Sequence, residues 1–246
     1  MDRLIYTAMT GAKHILEKQA STSNNLANSS TTGFRAQLDS FRAVPVVSEG
    51  LATRAYVVDS TVGSDFTPGP MQHTGRELDV AVQGAGWIAV QLPDGSEAYT
   101  RHGSLKVSEN GILQTSSGVN VQGEGGPIGI TPDVSITIGR DGTVSAIANG
   151  IKPGASTELG RIKLVNPPTQ DLVRGEDGLF RLKNGQDAEV DPAVTVAGGT
   201  LEGSNVNVVD AMVDMISLAR QFEMQMSLLK NAENNAAKAS QILALN

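Results

Sequence analysis

Residues 201–246 read LEGSNVNVVDAMVDMISLARQFEMQMSLLKNAENNAAKASQILALN. From Met212, steps of three and four land on Met212, Met215, Ala219, Phe222, Met226, Leu229, Glu233, Ala236, Ser240 and Leu243. All but Glu233 and Ser240 are apolar, which is the a/d pattern of a helix lying along a partner helix. No Gly or Pro follows Gly203, so nothing interrupts it. About forty helical residues span roughly 60 Å, more than one ordinary domain needs. Such a helix requires a partner in its own chain or in another.

The other end of the chain offers one. Ile5, Ala8, Ala12, Ile15, Gln19, Thr22 and Leu26 follow the same spacing, with Leu4, Met9 and Leu16 widening the stripe. Gly11 weakens this helix without ending it. The stop comes at Ser29-Ser30-Thr31-Thr32-Gly33, where hydroxyl side chains compete for backbone hydrogen bonds and a glycine is free to take positive φ. Pairing the two terminal helices buries both stripes.

Between them the pattern changes. Residues 34–68 give mixed signals: helix formers from Arg35 to Ala43, then an extended Val44-Pro45-Val46-Val47. From Gly69 onward short apolar runs alternate with turns such as Pro93-Asp94-Gly95, Glu109-Asn110-Gly111 and Arg140-Asp141-Gly142. Strands punctuated this way, with no long helix between them, indicate an antiparallel all-β body. The expected fold is α+β: terminal helices paired as a coiled coil, with an inserted, mainly antiparallel β domain. Its divisions are an N-terminal helix over 1–33, a connector over 34–68, a β domain over 69–200 and a C-terminal helix over 201–246.

The chain has 246 residues, of which 39% are hydrophobic and only 4% aromatic. Its cores therefore rest on Val, Ile, Leu and Ala. A net charge of −7 with no basic cluster excludes a nucleic-acid binder. The absence of cysteine removes disulfides and thiol chemistry. The N-terminus has no uninterrupted apolar stretch of the kind a cleaved secretion signal carries. His14, His73 and His102 are scattered, without metal-ligand spacing, and read as solvated surface groups. Asp94-Gly95, Asp141-Gly142 and Asp177-Gly178 lack the further carboxylates of a calcium loop and read as turns. Gly84-Ala85-Gly86 precedes a strand, not the helix of a dinucleotide fingerprint, and reads as a bulge or a close backbone approach. No catalytic residue, cofactor, metal or small-molecule substrate is expected. The methionines Met212, Met215 and Met226 fit either an intramolecular core or an inter-subunit surface.

Several segments resemble a known family. Ser23-Asn24-Asn25-Leu26-Ala27-Asn28, followed by Ser30-Thr31-Thr32-Gly33-Phe34-Arg35, resembles the N-terminal signature of bacterial flagellar axial proteins of the rod and hook. Leu201-Glu202-Gly203-Ser204-Asn205-Val206-Asn207, with Met212, Met215-Ile216 and Arg220-Gln221-Phe222-Glu223, is similar to the C-terminal one. The middle resembles that family's β domain at residues 78–84, at Gly86-Trp87 and at Tyr99-Thr100-Arg101-His102-Gly103-Ser104.

The resemblance implies a non-enzymatic subunit of a helical assembly, with the terminal helices in an inner tube. It implies export by the flagellar type III apparatus without a cleaved signal, and a place in the rod that crosses the periplasm. Its implied partners are copies of itself and other axial proteins. The expected assembly interface comprises Ile5, Ala8, Ala12, Ile15, Leu26, Met212, Met215, Ala219, Phe222, Met226, Leu229 and Leu243. The signature residues are Asn24, Asn25, Leu26, Ala27, Asn28, Gly33, Phe34, Ser204, Asn205, Val206 and Asn207. A secreted β-rich adhesin or carbohydrate-binding module with a helical stalk is the reading from another class, and it needs an exposed aromatic platform for which Trp87 and Tyr99 are the candidates.

Overall fold

The computed structural model describes residues 2–45, 55–131, 134–148 and 156–243. They form two compact units: 1–29, 36–65 and 206–246 make one, and 30–35 with 66–205 make the other.

The first unit holds two helices, α1 (Asp2–Ala27) and α2 (Val208–Leu243), and a hairpin of β1 (Gln37–Pro45) and β2 (Ala55–Ser64). α1 packs along α2 and also against the hairpin. Asn207 caps α2: its carboxamide oxygen accepts from the Val209 amide at 3.0 Å, satisfying one of the donors a helix N-terminus leaves open. Of the mixed signals at 34–47, residues 37–45 form β1 and not helix, and Val46 and Val47 lie outside the described residues. β2 reads AYVVDSTVGS, rich in β-branched residues, and pairs antiparallel with β1 from Gln37↔Ser64 to Pro45↔Ala55, with a bulge at Ser40/Phe41. A strand partner outweighs the helix propensity of Gln, Leu and Ala, which amounts to only a few tenths of a kcal/mol per residue. Phe41 also meets the His14 ring edge-on at 5.4 Å. His14 is therefore a packed residue and not the solvated one its isolation in sequence suggests.

The second unit is built of strands, with one short 3-10 turn at Thr169–Asp171 among its described residues, and every pairing described in it is antiparallel. Its largest sheet has nine strands, with Trp87–Gln91 at its centre, flanked by Glu97–Thr100 and Asn120–Gly123. A three-stranded sheet is formed by Val134–Ile138, Thr143–Ala148 and Thr157–Arg161. Val80–Gln83 pairs with Thr195–Gly198, and Met71–His73 with Thr200–Glu202. The core is aliphatic: Val80, Val82, Ile88, Val90, Leu105, Leu113, Val121 and Val144 have no exposure. A smaller aromatic cluster joins Trp87, Tyr99 and Phe180.

The Asp-Gly segments are turns, as their spacing indicates. Ser96 and Thr143 hydrogen-bond the Asp94 and Asp141 carboxylates and hold both below the usual carboxylate range. Gly86 has φ 126°, and a Cβ there would lie 2.6 Å from Val194 Cγ1, so this glycine permits a close approach.

Gly103 is the tightest point of this core: a Cβ there would sit 1.6 Å from the Val80 carbonyl oxygen. Gly103→Ala must therefore break the Val80–Gly103 backbone hydrogen bond (2.9 Å). We expect a loss of about 1–3 kcal/mol, read as a lowered midpoint in denaturant unfolding followed by Trp87 fluorescence.

Candidate assembly site and its buried clamp

Three segments of the second unit that are distant in sequence meet at one buried carboxylate. Glu202 has no exposure; its Oε1 accepts from Arg35 Nη2 at 2.6 Å and its Oε2 from Arg101 Nη1 at 3.0 Å. The Gly69 amide donates to Oε1 at 2.9 Å. Arg35 and Arg101 are 1% and 5% exposed, so two guanidinium groups share one counter-charge away from water. Burial lowers the Arg101 pKa despite the opposing pull of Glu202. Arg101 also donates to the Gly84 carbonyl at 2.6 Å and lies 5.3 Å from the Trp87 ring centroid. Arg174 lies over Phe34 at 4.4 Å and donates to the Arg35 carbonyl at 2.9 Å.

Around the clamp the backbone segments lock together. Gly33 donates to the Glu202 carbonyl at 2.8 Å and takes φ 69°, and a Cβ on it would lie 2.4 Å from the Arg101 carbonyl oxygen. His102 is fixed by hydrogen bonds to the Thr32 carbonyl (3.1 Å) and to Ser116 Oγ (2.5 Å), which corrects the expectation of a solvated group. Asn205 donates to the Thr67 carbonyl at 3.1 Å, and its amide to the Phe34 carbonyl at 3.4 Å. The points at which the chain enters and leaves this unit are thus tied side by side.

In the first unit, Ala12 and Thr22 are buried, and Ile5, Ala8, Ile15, Gln19 and Leu26 are half-buried. Among the described residues of α2 the covered positions are Ala211, Met215, Leu218, Phe222, Gln225, Leu229 and Ala232. Met215, Phe222 and Leu229 belong to the expected stripe. Met212, Ala219 and Met226 do not share it: they are exposed, one residue round the helix from Ala211, Leu218 and Gln225. The line Met215–Phe222–Leu229 has apolar residues on both flanks, so the sequence alone permits either. Gly11 selects one, because its bare backbone lies against the Gln225 side chain, about 3.5 Å from where a Cβ would be. Glu233 is exposed, and the side chains of Ala236, Ser240 and Leu243 lie outside the described residues.

Comparisons with known proteins match each of these regions. Residues 5–35 match the model described as "Flagella basal body rod protein", residues 81–146 the "Flagellar hook protein FlgE/F/G D1 domain", and residues 197–242 the "Flagellar basal body rod FlgEFG protein C-terminal". The chain is 49% identical over 251 aligned positions to the flagellar basal-body rod protein FlgF of Escherichia coli (strain K12), covering 100% of both. It is 48% identical, again over the whole of both, to FlgF of Salmonella typhimurium. FlgG of Buchnera aphidicola subsp. Schizaphis graminum is 32% identical over 89% of the chain and 92% of its own length. The chain belongs to the flagellar basal-body rod protein family. Within that family it is FlgF-like.

The signature residues of this rod-family chain acquire physical roles. Asn25 mimics a backbone partner: its carboxamide donates to the Gln37 carbonyl at 2.9 Å and accepts from the Gln37 amide at 2.8 Å, joining the end of α1 to β1. Asn28 extends the last turn through Asn24, with its amide 3.1 Å from the Asn24 carbonyl. Leu26 is half-buried, whereas Ala27 ends the helix on its exposed side. Gly33 and Phe34 belong to the clamp region, Ser204 is buried, Val206 is half-buried and Asn207 is the cap. Arg35, Arg101 and Glu202 fall within the family-like segments, and nothing in their local spacing marks them as partners. Trp87 and Tyr99 are 4% and 1% exposed, so neither supplies an aromatic platform. Among the described residues no group of three or more His, Asp or Glu is placed to hold a metal, and no helix is long and apolar enough to cross a membrane.

Glu202→Gln leaves two buried guanidinium groups without their charge partner. Breaking a buried pair from one side costs about 3–5 kcal/mol, so urea unfolding of the second unit should shift strongly toward lower concentration. Tyr99 offers a pH test. Burial pushes its phenol well above the ordinary range, and its hydroxyl oxygen accepts from the Ala188 amide at 2.7 Å. A tyrosine that ionises less readily folded than unfolded contributes stability fully present below about pH 10 and lost as pH rises beyond it. Stability measured at pH 8 and pH 11 should therefore fall more steeply in the native chain than in Tyr99→Phe.

Proposed function

We propose that this chain is a structural subunit of the bacterial flagellar basal-body rod, in the proximal, FlgF-type position. Its terminal helices pair as a coiled coil and join neighbouring subunits in a helical assembly that transmits torque from motor to hook across the periplasm. The observation that carries this reading is end-to-end similarity at 49% identity to a FlgF protein, with both helical ends and the β body matched in order. The exposed apolar residues of α2 support it, because Met212, Val213, Ile216, Met224 and Leu228 lie uncovered on a single chain. Exposed apolar surface of this extent marks an interaction site.

Interfaces that are the same on every copy but do not close produce helical arrays. The partners are copies of this chain and other axial proteins of the rod and hook. Delivery runs through the flagellar type III export apparatus without a cleaved signal, and a chain without cysteine cannot be held folded by a disulfide on the way. A distal-rod position is less well supported, since the FlgG relative is 32% identical against 49% for FlgF.

Phe222 is half-buried in the line of α2 that faces α1. Phe222→Asp places a charge there, at a cost of several kcal/mol. The expected outcome is loss of motility and of the chain from purified basal bodies, with the second unit's unfolding midpoint unchanged. A motile strain carrying this variant contradicts the reading.

A further inference from the structure

α2 has two apolar faces, and α1 covers one of them. On the opposite side Val213, Ile216 and Met224 are 59%, 57% and 59% exposed and line a groove of about 380 Å³ with Ser217, Arg220 and Gln221. A helix that is apolar on opposite sides belongs in an interior. α1 has a corresponding outer row, in which Tyr6, Met9 and Leu16 are 56%, 54% and 49% exposed. Both rows lie away from the contact these helices make with each other.

The direction of the helices limits how the rows can meet. Gly11 lies level with Gln225. Were the helices parallel, Ala27 at the end of α1 would fall near residue 241 and Ala211 would lie beyond the start of α1. Ala211 and Leu218 are buried, at 8% and 5% exposure, so α2 is covered toward its N-terminus and the pair is antiparallel. In an array whose copies all point the same way, each α2 must also run antiparallel to the α1 of its neighbour.

Charge then sets the register. Arg220 sits among the apolar residues of the α2 groove and forms no ion pair among the described residues. On the outer side of α1 the acid beside Leu16 is Glu17, whose side chain is 38% exposed and within its own helix meets Lys13 Nζ at 3.5 Å and His14 Nδ1 at 2.9 Å; an exposed pair such as Lys13–Glu17 is worth under about 1 kcal/mol and leaves the carboxylate able to accept a further cation. Setting Glu17 against Arg220 in antiparallel register brings Leu16 to the groove at Gln221, Lys13 beside Met224 and Met9 opposite Leu228. An α2–α2 contact through the same groove would instead oppose Arg220 with Arg220.

We propose that the outer groove of α2 receives the outer row of α1 from a second copy of this chain, with Leu16 in the groove and Glu17 paired to Arg220. This rests on the rod-subunit reading and assigns its lateral contact. Helices then alternate α1, α2, α1, α2 around the array, each α2 being held by its own α1 on one face and the neighbour's on the other. The contact is heterologous and repeats without a two-fold axis.

The absence of cysteine makes the test direct. Met9→Cys and Leu228→Cys are introduced together and singly into the full chain, expressed in place of the native subunit, and purified basal bodies are oxidised. The pair should give a ladder of dimers and larger species on a non-reducing gel, and neither single variant should. Arg220→Glu should lower incorporation by about tenfold, the scale expected when a desolvated ion pair becomes repulsive, and Glu17→Arg in the same chain should restore it. The proposal is overturned if the paired variant is incorporated but gives no ladder. Cross-links only to a different axial protein overturn it equally, as do dimers from Leu228→Cys alone. Absence of the unmodified chain from basal bodies would instead refute the rod reading itself.

Discussion

Glu202 and the two arginines that share it are the constraint on which the β unit depends. Desolvating three charged groups is costly, and their attraction offsets that cost only with close geometry and further hydrogen bonds. Part of this is present: contacts of 2.6 and 3.0 Å to the carboxylate, a backbone donor from Gly69, and the carbonyl of Gly84 accepting from Arg101, whereas Arg35 Nε and Nη1 and Arg101 Nε are buried without a partner. Arg35 lies where the chain enters the unit, Glu202 where it leaves, and Arg101 in the loop after a central strand. The carboxylate meets both arginines only when all three segments are in place, so the network favours one arrangement of the ends of this unit. This separates labour along the chain: the β unit secures its own ends, and the helices leave apolar surface exposed.

That division explains what could be read in the sequence. The covered line of α1 was legible because Lys13, Glu17 and Lys18 keep charge off one side, leaving Ile5, Ala8, Ala12, Ile15 and Leu26 as a single stripe. On α2 the same rule was ambiguous. Met215, Phe222 and Leu229 were placed on the α1-facing line, but the flank was open because both sides are apolar. Apolar side chains flank that line on both sides, and a one-dimensional period cannot say which flank α1 covers. Turns such as those at Asp94-Gly95 and Asp141-Gly142 were readable because their hydrogen bonds are local, between neighbours two residues apart.

The clamp was not readable, for the opposite reason. Glu202 lies 167 residues from Arg35 and 101 from Arg101, and none of the three sits in a stretch with a periodic signal. The hairpin of β1 and β2 escaped the same way, since β1 has modest strand propensity and owes its conformation to β2. His14 and His102 looked isolated only because their partners, Phe41, Thr32 and Ser116, come from other segments.

The central claim is that the terminal helices are the assembly module of a rod subunit and the β unit is held shut independently of them. A density map of isolated basal bodies, with side chains resolved well enough to separate related axial proteins, tests it most directly. The account predicts this chain in the proximal rod, with α1 and α2 antiparallel in the inner layer and Arg35, Glu202 and Arg101 joined within each β unit. Helices lying outside the shared layer, or rod density that fits only other axial sequences, would contradict it.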